Sequence, residues 1–150
     1  MSAITNLYDA VKETTGILPN VTPINADANG TAVDMKGFRS CLFVIAIGAA
    51  DAGDTLSGTN KIGLELEDSD DNSTFANVTD AALVDGNVED MTGGLFYEVV
   101  SDATASKNIL ISYKGTRRYV RVVLNFAGTH ATGTPINIVG LATGSRHVPI

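Results

Sequence analysis

The chain has 150 residues and a net charge of −7, with 44% hydrophobic and 18% charged residues. This length suits one domain with a substantial core, and the balance is that of a globular rather than a disordered protein. The negative charge argues against nucleic acid as the main partner. The longest apolar run, 41–47, is too short to cross a bilayer.

The first 31 residues predict an irregular N-terminal arm. Apolar residues at 4, 7, 8 and 11 follow helical spacing, so one short amphipathic helix is an option there. Gly16, Pro19 and Pro23 are expected to interrupt any regular element that follows. A basic leader and an apolar h-region are both missing from the start, so we expect no signal peptide.

From residue 31 onward, short apolar runs separated by turn residues predict strands. The run 40–47 is apolar on both faces, which favours a central strand covered on both sides. The run 61–68 alternates, as a half-buried antiparallel strand does. The runs 108–113 and 118–126 suggest a hairpin across Lys114-Gly115-Thr116. Further strands are expected at 31–35, 75–79, 82–84, 94–100 and 136–142.

These runs predict an all-β fold, an antiparallel β-sandwich or jelly roll formed by residues 32–150 as a single domain, with residues 1–31 as its arm. No repeat of fixed period and no linker divides the chain further.

Charge is distributed unevenly along the chain. Residues 51–102 hold 13 acidic side chains and one basic one, Lys61, whereas residues 103–150 hold 6 basic side chains and no acidic one. Two uses of this split are open. Acidic and basic strands can pair within one subunit, or the two poles can pair between subunits and orient an assembly.

Few residues suggest chemistry. The acidic turn Asp68–Ser73 has oxygen donors at alternate positions, as a calcium loop does, but Ser73 replaces the glycine and Thr79 the glutamate that an EF-hand requires. An exposed Asp/Asn turn is the preferred interpretation. The single cysteine, Cys41, lies in an apolar run and is interpreted as a buried small hydrophobe rather than a reactive thiol.

No pattern of an enzyme emerges. The two histidines, His130 and His147, lack metal-ligand spacing, and the chain has no G-x-S-x-G elbow and no P-loop. Glu65 and Glu67 share a strand face and are interpreted as solvated. We therefore expect no catalytic residue, no cofactor and no metal.

The most basic stretch, Lys114–Arg121, interleaves basic and aromatic residues. This composition admits nucleic-acid binding or a protein interface. A strand whose arginines pair with the acidic strands is the preferred interpretation.

Four segments carry a resemblance. They are Val-Asp-Met-Lys-Gly-Phe-Arg-Ser (33–40), Leu-Glu-Asp-Ser-Asp-Asp-Asn-Ser-Thr-Phe (66–75), Tyr-Lys-Gly-Thr-Arg-Arg-Tyr-Val-Arg-Val-Val-Leu (113–124) and Gly-Ser-Arg-His-Val-Pro (144–149). Together they resemble small structural proteins of tailed-bacteriophage heads, over about residues 33–149. One departure is Asn72-Ser73, where that group leads us to expect a glycine in the turn.

The resemblance implies a capsid decoration, or cement, protein that binds the outer capsid surface and stabilises the head. Its implied partners are the major capsid protein and further copies of itself, most simply a trimer, with neither nucleic acid nor membrane. Its implied location is the capsid exterior of a virion, after synthesis in the host bacterial cytoplasm. A head–tail connector, a tail component and a glycan-binding head fibre or adhesin are the alternatives. If the arm makes the capsid contact, removal of residues 1–31 should abolish binding and leave the sandwich folded.

Overall fold

A computed structural model describes residues 12–17, 24–101 and 107–144. The described chain is all-β, and two antiparallel sheets pack face to face as a β-sandwich, which confirms the predicted fold class. Besides the strands, these residues form two single-turn 3-10 helices, Ala81–Leu83 and Thr92–Gly94. The strands are β1 (Lys12–Ile17), β2 (Ala28–Asn29), β3 (Val33–Asp34), β4 (Ser40–Ile47), β5 (Lys61–Ser69), β6 (Ala76–Asn77), β7 (Val84–Gly86), β8 (Leu95–Val99), β9 (Lys107–Tyr113), β10 (Tyr119–Ala127) and β11 (Ile136–Thr143).

The first sheet has the order β1-β11-β4-β9-β7. The second has β10 and β5 at its centre: β2 and β3 pair with the free side of β10, and β6 and β8 pair with the free side of β5. The long strands β5 and β10 pair along their whole length, from Lys61 opposite Ala127 to Ser69 opposite Tyr119. Short segments therefore lie at both outer sides of the second sheet, an arrangement that limits edge-to-edge pairing with other chains.

The core lies between the two sheets and is built from alternate residues of the long strands. In β5 the buried residues Ile62, Leu64 and Leu66 were predicted from alternation, and the structure confirms them. Each fully buried aliphatic side chain of this kind contributes about 1.5–3 kcal/mol to folding. From the opposite sheet Phe43, Ile45, Ile109, Ile111 and Ile138 face them.

The prediction that β4 is covered on both faces is wrong for the described chain. Cys41, Phe43, Ile45 and Ile47 face the core, but the alternate residues Leu42, Val44 and Ala46 are only partly buried and lie outside the core cluster. β4 is central within its sheet, yet a sandwich covers only the inner face of each sheet.

The predicted hairpin is also wrong, although both of its strands exist. β9 pairs with β4 and β7 in the first sheet, whereas β10 pairs with β5 in the second. The segment 114–118 thus crosses from one sheet to the other. Both strands bury one face in the same core, from opposite sides, so their alternation alone does not reveal which strand each pairs with.

Several shorter elements differ from their predicted bounds. The run 82–84 is mostly the 3-10 turn Ala81–Leu83, because the Asp80 carboxylate accepts the N–H of Ala82 and caps it. The strands predicted at 31–35 and 75–79 shrink to two residues each.

The expected arm contributes to both sheets. Residues 12–17 form β1 along β11, and Gly16 falls where the register shifts between Thr15 and Ile17. A bulge absorbs the glycine that was expected to end regular structure. The helix proposed around residues 4–11 lies outside the described residues.

Candidate interaction surface

The basic residues of β9, β10 and their connection all lie beside partners in the same chain. Arg121 lies directly opposite Glu67 in the β10–β5 ladder, and its Nη2 is 2.7 Å from the carboxylate oxygen Oε2 of Glu67. Both side chains of this pair are mostly buried, and the Arg121 guanidinium also covers the Phe75 ring at 3.9 Å. Such a partly buried pair with two contacts is worth more than an exposed one.

The neighbouring arginines are held in the same way. Arg118 donates from Nε and Nη2 to the two carboxylate oxygens of Asp34, each at 2.9 Å. This bidentate contact lowers the pKa of Asp34 to about 2. Arg117 lies 3.3 Å from Asp68, and Lys114 lies 2.8 Å from Asp85.

The basic side chains of Lys114–Arg121 therefore pair with carboxylates of the same chain, as we preferred from sequence, although only residues 119–121 of this stretch lie in a strand. Lys114, Arg117 and Arg121 pair with carboxylates of the acidic segment 51–102. Arg118 instead pairs with Asp34, which lies outside that segment. Pairing of the poles between subunits stays a prediction.

The acidic turn uses its own oxygens internally. Asp71 accepts the N–H groups of Ser73 and Thr74 at 2.8 and 2.7 Å and the hydroxyl of Ser69 at 2.9 Å. These hydrogen bonds lower the pKa of Asp71 to about 2. Asn72 adopts φ +60°, the left-handed conformation that a glycine would supply at little cost. The departure at Asn72-Ser73 is thus compatible with the same turn.

Asp68 was predicted as part of the exposed turn, but it lies in β5 and is directed into the sandwich, so the exposed turn begins at Asp70. Asp68 is 7% exposed, and its Oδ2 accepts the hydroxyl of Tyr113, which is fully buried, at 2.7 Å. Burial, together with this hydrogen bond, raises the pKa of Tyr113. In the part of the chain that the structure describes, no three His, Cys, Asp or Glu side chains are grouped to hold a metal ion.

Cys41 and His130 are both buried. Cys41 is fully buried on the inner face of β4, and burial raises the pKa of its thiol to about 12. This agrees with the interpretation of Cys41 as a small core residue.

His130 is 8% exposed, and its Nε2 lies 2.9 Å from the carbonyl oxygen of Ala127. His147 lies outside the described residues. Glu65 and Glu67 are both on the outer face of β5, but Glu67 is mostly buried in its pair with Arg121, so the interpretation of this side chain as solvated is wrong.

A shallow cleft of about 200 Å³ opens where the segment 35–38 meets the segment 115–118. Lys36, Arg117 and Arg118 line it, which at first suggests an anion site. Both arginines already bind carboxylates of this chain, so Lys36 is the one lining cation without a carboxylate partner among the described contacts.

The least expected feature is the outer face of the first sheet. Three registered strands place apolar side chains there: Leu110, Val44 and Val139 lie side by side in one row, and Leu42 lies opposite Leu141 in the next. Leu110 is 42% exposed, and the others are partly exposed. We call this set, with Ala46, the outer apolar patch. The double-sided apolar pattern of 40–47 was its sequence signal, misread as burial on both sides.

Comparison of the sequence with protein-family models and with curated proteins finds no match. None of the helices among the described residues has the length and apolar character needed to span a membrane.

Proposed function

We propose that this chain is a non-enzymatic structural protein of a tailed-phage head, a decoration protein that binds the outer capsid surface and stabilises the shell. The observation that carries the proposal is the outer apolar patch. A contiguous apolar area on a sheet face that no other described strand covers is typical of a protein-binding surface.

Charge distribution supports the same function. All five basic side chains described between residues 107 and 121 are engaged within the chain, Lys107 with the hydroxyl and ring of Tyr97 and the others with carboxylates. These basic groups are thus engaged within the sandwich. The outer apolar patch is therefore the better candidate for a contact surface. A decoration protein that assembles with copies of itself on a capsid needs such a rigid body and such a face.

Aromatic placement favours this function over glycan binding. A sugar-binding site needs open aromatic ring faces. Tyr97, Tyr119 and Phe75 are each covered by a cation, Lys107, Arg118 and Arg121 respectively, at 3.9 to 4.8 Å from the ring centroid. Those cations are themselves held by hydrogen bonds or ion pairs, so uncovering a ring would cost these contacts as well.

The proposed contact with the capsid includes the N-terminal segment. Because β1 pairs along β11, removal of residues 1–31 would also delete an edge strand and β2. The matched truncation is therefore 1–11, which ends before β1. We expect this shortened chain to keep the unfolding midpoint of the full chain and to lose most of its binding to capsids.

The direct test is quantitative mass spectrometry of purified virions. The ratio of this chain to the major capsid protein should be near one or a simple fraction of it. A handful of copies per particle would instead indicate a head–tail connector, a tail component or a fibre. Absence from the particle would refute the proposal.

A further inference from the structure

The centre of the first sheet's outer face is uncharged as well as apolar. On β11, β4 and β9 the outward positions are occupied by the outer apolar patch and by Ser, Thr and Asn residues. Among the described residues, the nearest outward charges lie on the edge strands: Glu13 on β1, and Asp85 on β7, which Lys114 neutralises. An apolar centre, a polar uncharged surround and charges at the margin resemble the anatomy of a protein interface.

We propose that a second copy of this chain occupies this face, forming an isologous dimer in which the two first sheets stack with their outer apolar patches in contact. The inference rests on the proposed function only in treating the patch as an assembly surface, and the capsid does not enter it. It differs from the trimer that the resemblance implies.

The placement of charge allows a second copy to occupy this face. Two chains of net charge −7 repel one another wherever acidic surfaces meet. The turn around Asp70 and Asp71, the segment Glu89–Asp90 and the outward Glu65 of β5 all carry such charge. The outer face of the first sheet lets two copies meet with their like charges at the margin. A foreign partner would need a neutral apolar face of the same outline, which a second copy already has.

The area of the face is sufficient. One residue of a strand occupies about 16 Å² of a sheet, from a strand spacing of about 4.8 Å and a rise of about 3.4 Å. The five strands, of six, eight, eight, seven and three residues, therefore offer about 500 Å² per copy. A pair would bury about 1,000 Å² or more, which reaches the lower limit of a specific interface.

Sheet geometry is compatible with this contact. Sheets stack face to face at about 10 Å, with their strands aligned within about 30° or crossed at about 90°. The patch has short and medium side chains, without a bulky aromatic that would hold two sheets apart. A two-fold axis in the plane between the sheets would bring each row of one patch against a row of the other. Each patch residue would then occur at two places in the interface, once from each copy.

The test is sedimentation velocity on the purified full-length chain, alone and with charge variants. At about 100 µM the wild type should sediment as a dimer of twice 15.6 kDa. Leu110→Asp and Leu110→Lys should each raise the dissociation constant at least about 100-fold, since a loss of about tenfold per buried anchor is counted twice. Using both signs separates loss of apolar contact from a change in net charge.

Val100 supplies the matched control, because it is the other large apolar side chain that is exposed in the described chain, at 38% against 42% for Leu110. It follows β8 in the second sheet, away from the patch. Val100→Asp and Val100→Lys should change the dissociation constant less than threefold. Far-UV circular dichroism checks that each variant folds. If Leu110→Asp unfolds, Val139→Thr, which keeps the branched side-chain shape, takes its place. Val139→Thr should raise the dissociation constant at least tenfold.

Three results would overturn the inference: a monomer at about 100 µM, a trimer, or a dimer that the Leu110 variants leave intact. Its failure is distinguishable from that of the proposed function. A dimer sensitive to Leu110 in a chain absent from virions keeps the inference and refutes the decoration role. If the chain is abundant in virions but monomeric in solution, the proposed function is kept and the dimer is refuted.

Discussion

The buried contact between Tyr113 and Asp68 offers the sharpest test of how the two sheets are held together. Tyr113 ends β9 in the first sheet, and Asp68 belongs to β5 in the second, so their 2.7 Å hydrogen bond crosses the sandwich. Tyr113→Phe removes only the hydroxyl and keeps the packing of the ring. The carboxylate of Asp68 then loses a donor in a site that is 7% exposed.

The expected loss follows from the surroundings of the carboxylate. A hydrogen bond to a charged group contributes about 1.5–3 kcal/mol, and a buried acceptor without its donor adds a desolvation cost. Arg117 remains 3.3 Å from the other carboxylate oxygen and limits that cost. We therefore expect Tyr113→Phe to lower the free energy of unfolding by about 2 kcal/mol and the Tm by about 4–8 °C.

Urea unfolding followed by circular dichroism measures this change, with Tyr119→Phe as the control. Tyr119 is only partly buried, and its ring face, rather than its hydroxyl, contacts Arg118. The control should change the free energy of unfolding by less than about 0.5 kcal/mol. If the two variants are equally stable, the Tyr113–Asp68 bond does not hold the sheets together and the reasoning is refuted.

Three further predictions follow from packing and ionisation. A methyl group at Gly140 would overlap Val33, so Gly140→Ala should lower the free energy of unfolding, measured in urea, by about 1–3 kcal/mol. The control Gly58→Ala, where the added methyl meets open space, should lower it by less than about 0.5 kcal/mol. Equal losses in the two variants would contradict the packing. Burial raises the pKa of the Cys41 thiol to about 12. At pH 8 the thiol should therefore react with a thiol reagent at least about 100-fold more slowly in the folded chain than in urea. Similar rates in the two conditions would show that the thiol is accessible. The Arg118 contact lowers the pKa of Asp34 from 3.8 to about 2, so the contribution of this pair to stability is present above about pH 4 and is lost as the pH falls toward 2. Asp34→Asn should therefore flatten the dependence of Tm on pH between these values. An unchanged pH profile would contradict this contribution.

The sequence by itself determined the fold class and most of the long strands. Alternation of apolar and polar residues is a local property, and it placed the inner face of β5 and the bounds of β4 within a residue or two. Turn chemistry is equally local, which is why residues 70–73 turn within the Asp/Asn run that predicted a turn over 68–73. The buried state of Cys41 followed from its apolar neighbours in the same way.

Only the tertiary structure decided which strands pair, and with that which faces remain open. Strands β9 and β10 are neighbours in the chain but lie in different sheets, since β9 pairs with β4 and β7 whereas β10 pairs with β5. The pairing of Arg121 with Glu67 and of Arg118 with Asp34 joins positions 54 and 84 residues apart, and no local pattern encodes such distances. The apolar residues of β4 showed that both faces avoid charge, but whether the outer face is covered depends on what packs against the sheet. Burial is a property of the assembled layers, and for this face we propose that the second layer is another copy of the chain.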